Sequence, residues 1–239
     1  MRILVAAPPK TGNMWIKCLL GSIYGLRCLK PIEQPRQSTL KHFREWAAAG
    51  NFPDGTIYHQ HYDFSPEICD IAEALPAHVV TLVRDPYDAF VSTYHTLQQH
   101  FEEDNRKKRK MVELMGKPLD DPSIVEFLRQ GGYRNNLLKA RDWMSCGRAV
   151  VIRYEDLHAD PVAALTRATA SIAAAPPRTI EAAVADCTAE AMRQRSRGME
   201  KHVREAKPGD AREKLNAAHY AAFREAYADV IRELGYPVR

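Results

Sequence analysis

This chain of 239 residues has no long apolar run, no strong excess of either charge and only five cysteines. No stretch approaches the roughly 20 apolar residues that cross a bilayer, which argues against a transmembrane helix. A first strand that starts at residue 2 leaves no room for a signal peptide, so a soluble, cytoplasmic protein is expected. The cysteines (Cys18, Cys28, Cys69, Cys146 and Cys187) are odd in number and scattered, and no two have metal-ligand or redox spacing. Reduced thiols are therefore expected. Lys plus Arg number 34 against 30 for Asp plus Glu, a net charge of +4. That excess is too small to point to nucleic acid, and no basic stretch is interleaved with aromatics. Internal repeats and low-complexity tracts are also missing.

What is present reads as an α/β fold. The length suits one domain over residues 1–239. Four short apolar runs read as central strands, at 3–7, 56–60, 78–84 and 149–153. Helical patterns at 11–20, 66–75, 86–100, 122–129 and 133–146 separate them. Strands alternating with amphipathic helices predict a three-layer sandwich with a central parallel sheet of about four to five strands. After Arg153 the chain reads as helical. Asp160-Pro161 is an N-cap and first-turn pair, Pro176-Pro177 opens another helix, and a last one spans 216–234 before Gly235. The stretches 96–121 and 193–215 read as polar surface loops. The first contains five consecutive bases, Arg106 to Lys110, either a solvated face or an attraction for an acidic acceptor.

In a parallel sheet the ligand sits beyond the carboxyl ends of the strands, so the residues just after each strand carry the most information. The first strand runs through Pro8-Pro9 into Lys10-Thr11-Gly12 and a helix from Asn13. A strand that turns through glycine into a helix presents free amides and a positive dipole end, and Lys10 adds a cation, so this turn suits a phosphate. The other reading is a tight turn at Gly12 with Lys10 in solvent. It is not an ATP loop, because Lys10 precedes the only glycine and Gly-x-x-x-x-Gly-Lys-Ser/Thr is absent.

The third strand ends at Arg84, with Pro86 opening a helix that carries Ser92. An arginine fork and a hydroxyl there suit a second phosphate, and an Arg84–Asp88 ion pair is the structural alternative. The fourth ends in Arg-Tyr-Glu-Asp-Leu, which brings Tyr154 to the same edge either as a ligand contact or as an ordinary half-buried tyrosine. After the second strand, His59 and His61 share one face. No third His or Cys has ligand spacing, so neither is expected to bind metal. A histidine at a strand end beside an anion loop is better placed as a general base.

Together, residues 9–15 (Pro-Lys-Thr-Gly-Asn-Met-Trp), 84–94 (Arg-Asp-Pro-Tyr-Asp-Ala-Phe-Val-Ser-Thr-Tyr) and 153–157 resemble the sulfotransferases that use 3′-phosphoadenosine 5′-phosphosulfate (PAPS). The resemblance implies a P-loop-like fold and a metal-free transfer of a sulfuryl group to a hydroxyl or amine of a small molecule. Lys10 would stabilise charge on the leaving phosphate, with Thr11, Gly12, Asn13, Met14 and Trp15 completing the 5′-phosphosulfate loop. Arg84 and Ser92 would hold the 3′-phosphate, and Tyr154 and Trp15 would flank the adenine. His61, twenty-three residues before Arg84, falls where the family keeps its catalytic histidine. His59 is the next candidate. Arg204, Lys207 and Gly209-Asp210 are the nearest match to a late loop that closes over the 3′-phosphate.

Three departures stand out. Met14 replaces the usual threonine or serine, Glu205-Ala206 replaces Lys-Gly, and Ala211 replaces a tryptophan. Losing one charge-assisted hydroxyl contact at Met14 costs about 1.5–3 kcal/mol of donor binding. The rival readings are a small-molecule kinase, which would need Mg²⁺ and the missing loop, and a non-catalytic nucleotide-binding protein of the same fold. For the acceptor wall, Tyr62, Phe64, Phe101 and Tyr133 are the aromatic candidates, with core packing the alternative for each. No nucleic acid or membrane partner is implied.

Overall fold

The computed structural model describes residues 1–29, 39–101, 114–195 and 208–239. Strands β1 (Arg2–Ala6), β2 (Arg27–Cys28), β3 (Thr56–Gln60), β4 (Ala77–Val83) and β5 (Val150–Arg153) form one sheet in the order β2-β3-β1-β4-β5. Every pairing is parallel. The register sets Ala6 beside Gln60 and Val83 beside Arg153. The segments that follow these strands therefore emerge along one rim, where α/β sheets bind ligands.

The period-2 alternation of β1 divides the core. Ile3 and Val5 pack with α1 (Asn13–Tyr24), α8 (Pro161–Ile172) and α9 (Pro177–Asp186). Leu4 and Ala6 pack on the other face with α2 (Leu40–Ala48), α3 (Pro66–Ala74) and Trp143 of α6 (Arg134–Ser145). All four β1 side chains are inaccessible to solvent. A slip of one residue in the strand would exchange the two sets, so the register is firmly specified. A third cluster joins Val83 to α4 (Pro86–Phe101), α5 (Pro122–Arg129) and α12 (Ala217–Glu233). The sheet ends at β5, whose Val151 is the exposed large apolar side chain among the described residues, at 39%. A groove of about 760 Å³ runs along it, lined by Val151, Arg148, Arg167 and Asp156 among others.

The predicted helix starts at 160–161, 176–177 and 216 are in place. The Asp160 carboxylate accepts from the Ala163 amide at 2.9 Å, Pro177 opens α9, and Asn216 forms a capping box with His219 on α12. No described helix is long and apolar enough to cross a membrane.

The structure departs from the sequence reading at several points. Helix α2 and the two-residue strand β2 were not foreseen. The first helix begins at Asn13, where the reading of the turn placed it, and not at residue 11, where the helical pattern began. The polar stretch 193–215 is not one surface loop: α10 (Ala189–Arg195) reaches into it, and α11 (Asp210–Lys214) carries Ala211 at 0% exposure. In 96–121, α4 continues to Phe101, and Leu114 and Met115 return to the core. The basic run Arg106–Lys110 lies outside the described residues. Cys18 and Cys187 form a disulfide with Cα atoms 6.1 Å apart, so reduced thiols describe only Cys28, Cys69 and Cys146. The pair is 169 residues apart in sequence, and packing of α1 on α9 brings it together, which no spacing rule could reveal.

Candidate active site

The turn after β1 is braced from inside. The Thr11 hydroxyl and the Asn13 side-chain amide both donate to the Pro8 carbonyl, at 2.9 and 2.8 Å. Both side chains are buried, so they shape the loop rather than face outward. Lys10 holds φ at +67°, a left-handed conformation that costs a non-glycine residue about 1–2 kcal/mol. Gly12 follows at φ +102° as the N-cap of α1, with no side chain capping the helix and no acid in its first turn. The helix start thus presents amides and a positive dipole end with no anion of its own, and Lys10 stands beside it.

Gly12 also couples this turn to the others. A Cβ there would lie 2.8 Å from Cδ2 of Tyr154 and 3.5 Å from Leu82. Tyr154, the first residue of α7 (Tyr154–Ala159), is 4% exposed and lies edge-on to Trp15 with ring centroids 6.1 Å apart. The Arg84 guanidinium stacks over Tyr154 at 4.3 Å and donates to the Lys10 carbonyl at 3.1 Å. Three segments that are far apart in sequence therefore meet at one point, with two cationic side chains around an uncapped helix start.

Carboxylates hold the frame around that point. Asp85 accepts from the amides of Tyr87 and Asp88, at 3.0 and 3.2 Å, and so caps α4. Burial raises its pKa, against the lowering effect of Arg239, whose guanidinium donates to it at 2.7 Å. Asp88 accepts from the amides of Gly209 and Ala211, at 2.6 and 2.8 Å, and so anchors the late turn and α11 to α4. Ser92 sits one helical turn beyond Asp88 on the same face of α4.

His61 lies just past β3, near His59, with ring centroids 5.7 Å apart. Its Nδ1 is 2.8 Å from the Ala7 carbonyl. A carbonyl can only accept, so Nδ1 carries the proton and Nε2 keeps a free lone pair. Burial pushes the His61 pKa down to about 4, with Lys139 and Lys10 adding to the lowering and the Ala7 hydrogen bond opposing it. Helix α6 fixes the backbone here: Lys139 donates to the His61 carbonyl at 2.6 Å, and Trp143, one turn on, donates to the Tyr62 carbonyl at 2.8 Å. The imidazole is thus neutral, tautomerically fixed and positioned beside the anion loop. That arrangement can bind a polyanion and accept a proton next to it. Among the described residues, no group of three His, Cys, Asp or Glu side chains is arranged to hold a metal.

A family model, Sulfotransfer_1 (sulfotransferase domain), matches residues 1–235. The chain belongs to the sulfotransferase family. Solved structures agree on the fold. The mouse sulfotransferase SULT7A1 complexed with PAP is similar at a TM-score of 0.71 and 16% identity, over 97% of this chain and 84% of that one. Retinol dehydratase in complex with androsterone and inactive cofactor PAP gives a TM-score of 0.66 at 14% identity, over 97% and 80% of the two chains. Its complex with retinol and PAP gives 0.64, also at 14% identity, over 97% and 81%. No curated protein matches the sequence closely.

Within this sulfotransferase fold, Lys10, Gly12, Trp15, Arg84 and Tyr154 gather at one point and His61 lies nearby, whereas Thr11 and Asn13 work inside the loop. Met14 stands in the first turn of α1, partly buried. Gly209 is tied to α4 through Asp88, and Arg204 and Lys207 lie outside the described residues. Two members of the expected aromatic wall are core residues: Tyr62 and Tyr133 are 0% and 1% exposed. Phe64 is partly buried edge-on to Trp143. Sequence reasoning missed Asp85, Lys139, Glu155, Tyr236 and Arg239. Only Asp85 carried a signal, an aspartate directly before a helix-opening proline.

Proposed function

We propose that this chain is a PAPS-dependent sulfotransferase, one domain over residues 1–239 acting in the cytoplasm on a hydroxyl or amine of a small-molecule acceptor. The reading rests on one observation above all: Lys10, Arg84 and Tyr154 converge where α1 starts on Gly12 without a side-chain cap. The residues fit such a donor. It carries phosphates at two positions of its sugar, and here a cation stands at each of two adjoining turns, with the rings of Tyr154 and Trp15 close by.

When bound, PAPS supplies the sulfuryl group. Lys10 and the first amides of α1 stabilise negative charge on the phosphate side of the bond that breaks. Arg84, with Ser92, holds the 3′-phosphate, a remote handle that orients the reacting end and separates this nucleotide from ATP. Trp15 and Tyr154 flank the adenine. Gly209, which Asp88 ties to α4, belongs to the late turn assigned to the 3′-phosphate. His61 takes the acceptor proton on Nε2 while Nδ1 stays bonded to the Ala7 carbonyl. These groups need no metal, since sulfuryl transfer depends chiefly on positioning and charge stabilisation.

Calorimetry tests the reading. Adenosine 3′,5′-bisphosphate should bind without Mg²⁺, ATP should bind little, and Arg84→Ala should weaken the bisphosphate by about tenfold or more with the melting temperature retained. A preference for Mg-ATP would favour a kinase and overturn the proposal. So would bisphosphate binding that ignores Arg84.

A further inference from the structure

The segment after α12 returns to the donor side of the sheet. The Tyr236 hydroxyl donates to Glu155 Oε2 at 2.8 Å, and Glu155 Oε1 accepts from the Asp85 amide at 2.8 Å. The Arg239 guanidinium donates to Asp85 Oδ2 at 2.7 Å and stacks over Tyr87, and its main-chain N–H donates to the Tyr87 hydroxyl at 2.8 Å. Arg153 completes the attachment by donating to the Leu234 carbonyl at 3.0 Å while lying over the Tyr236 ring at 4.9 Å. Every one of these contacts lands on a residue next to, or two or three positions from, Arg84 or Tyr154.

We infer that Arg239 and Tyr236 are positioning residues for the donor site, fixing the β4–α4 turn and the start of α7 so that Arg84 stays stacked on Tyr154. The ligand in this inference rests on the sulfotransferase reading; the bracing itself does not. Asp85 is only 5% exposed, and Arg239 is the cation that the structure pairs with it. Removing one member of a buried ion pair leaves the other charge uncompensated, so the turn must rearrange or take up a proton. Either change shifts the residue that follows Arg84. Glu155 relays the second restraint, because one of its oxygens holds the Asp85 amide while the other is held by Tyr236.

The test uses Arg239→Ala, Arg239→Lys and Tyr236→Phe in the full chain, with two readouts. Amide hydrogen exchange of the ligand-free protein should accelerate at residues 84–88 and 154–157 in Arg239→Ala, while β1 and β3 stay protected. Affinity for adenosine 3′,5′-bisphosphate should fall about tenfold, as for the loss of one charge-assisted contact. Arg239→Lys, which keeps the cation, should recover most of both effects. Tyr236→Phe removes one hydroxyl and should loosen 154–157 most, with a smaller acceleration at the Asp85 amide that Glu155 holds; it carries the test if Arg239→Ala does not fold. Unchanged exchange at these turns, or acceleration spread evenly over the sheet, overturns the inference. So does an affinity loss that lysine does not repair. If the wild-type chain fails to bind the bisphosphate, the donor assignment falls, and the exchange measurements still decide whether the segment braces these turns.

Discussion

Replacing His61 with alanine should lower turnover about a hundredfold or more while leaving affinity for adenosine 3′,5′-bisphosphate nearly unchanged. The split follows from geometry. Nδ1 is committed to the Ala7 carbonyl, and Nε2 is the one ring atom left to accept a proton. Lys10→Ala should cost about as much in turnover and also weaken the nucleotide, because its charge acts on bound donor and leaving group alike. The pH profile separates this base from an unperturbed histidine. A base must be neutral to act, so activity falls as pH drops through its pKa. With that pKa lowered to about 4 by burial, Lys139 and Lys10, kcat/KM should stay level from neutral pH well below 6.5 before it declines. A bound anion beside Lys10 counters the lysine's effect on the ring, so the acid limb of kcat should lie at higher pH than that of kcat/KM. Full activity in His61→Ala would sink the assignment and bring forward His59, whose ring is 5.7 Å away.

Gly12→Ala is the second substitution expected to have a large effect. The residue holds φ at +102°, where a Cβ is strained, and that Cβ would meet Tyr154 at 2.8 Å. Tyr154 has little room to retreat, since Trp15 lies against it and Arg84 is stacked on it. Backbone strain and overlap together should cost about 2–4 kcal/mol of stability. The larger effect is on binding. Any shift that admits the methyl group unstacks Arg84 from Tyr154 or moves Lys10 away from the start of α1. Bisphosphate affinity should therefore fall about a hundredfold, a loss of about 2.7 kcal/mol. Combining Gly12→Ala with Tyr154→Leu relieves the overlap and should recover melting temperature without recovering affinity. A single Gly12→Ala protein that binds as tightly as the parent would remove the loop from the site.

Much of the sheet was legible because its signals are local. The apolar runs at β1, β3 and β4 are largely buried on both faces, proline follows β1 and β4 closely, and β5 was legible from its short apolar run although Val151 is exposed. The three segments that meet at Gly12 were legible for the same reason, as each sits immediately after a strand. Helix α2 was obscured because only Phe43, Trp46 and Ala47 of its nine residues are buried. The burial of Ala211 was not legible because a single apolar residue in a charged stretch has no periodicity; Asp88 draws its turn against α4. The long-range partners of His61 and of Asp85 were beyond reach. Lys139 and His61 are 78 residues apart, and Arg239 and Asp85 are 154 apart. Tyr62 and Tyr133 were candidates for the acceptor wall with core packing the alternative, and both pack in the core; the alternation that brings His61 to the rim sends Tyr62 inward.

The outermost strand has a bearing on how copies of this chain behave in concentrated solution. A sheet that stops at β5 leaves a row of main-chain groups able to recruit a strand from another molecule, and Val151 offers an apolar foothold there. Arg148 is held by Asp70 and Glu73, and Arg153 by the Leu234 carbonyl, so neither arginine is left over to repel an incoming twin. What restrains such pairing is length: a strand of four residues offers a second copy only a very short ladder.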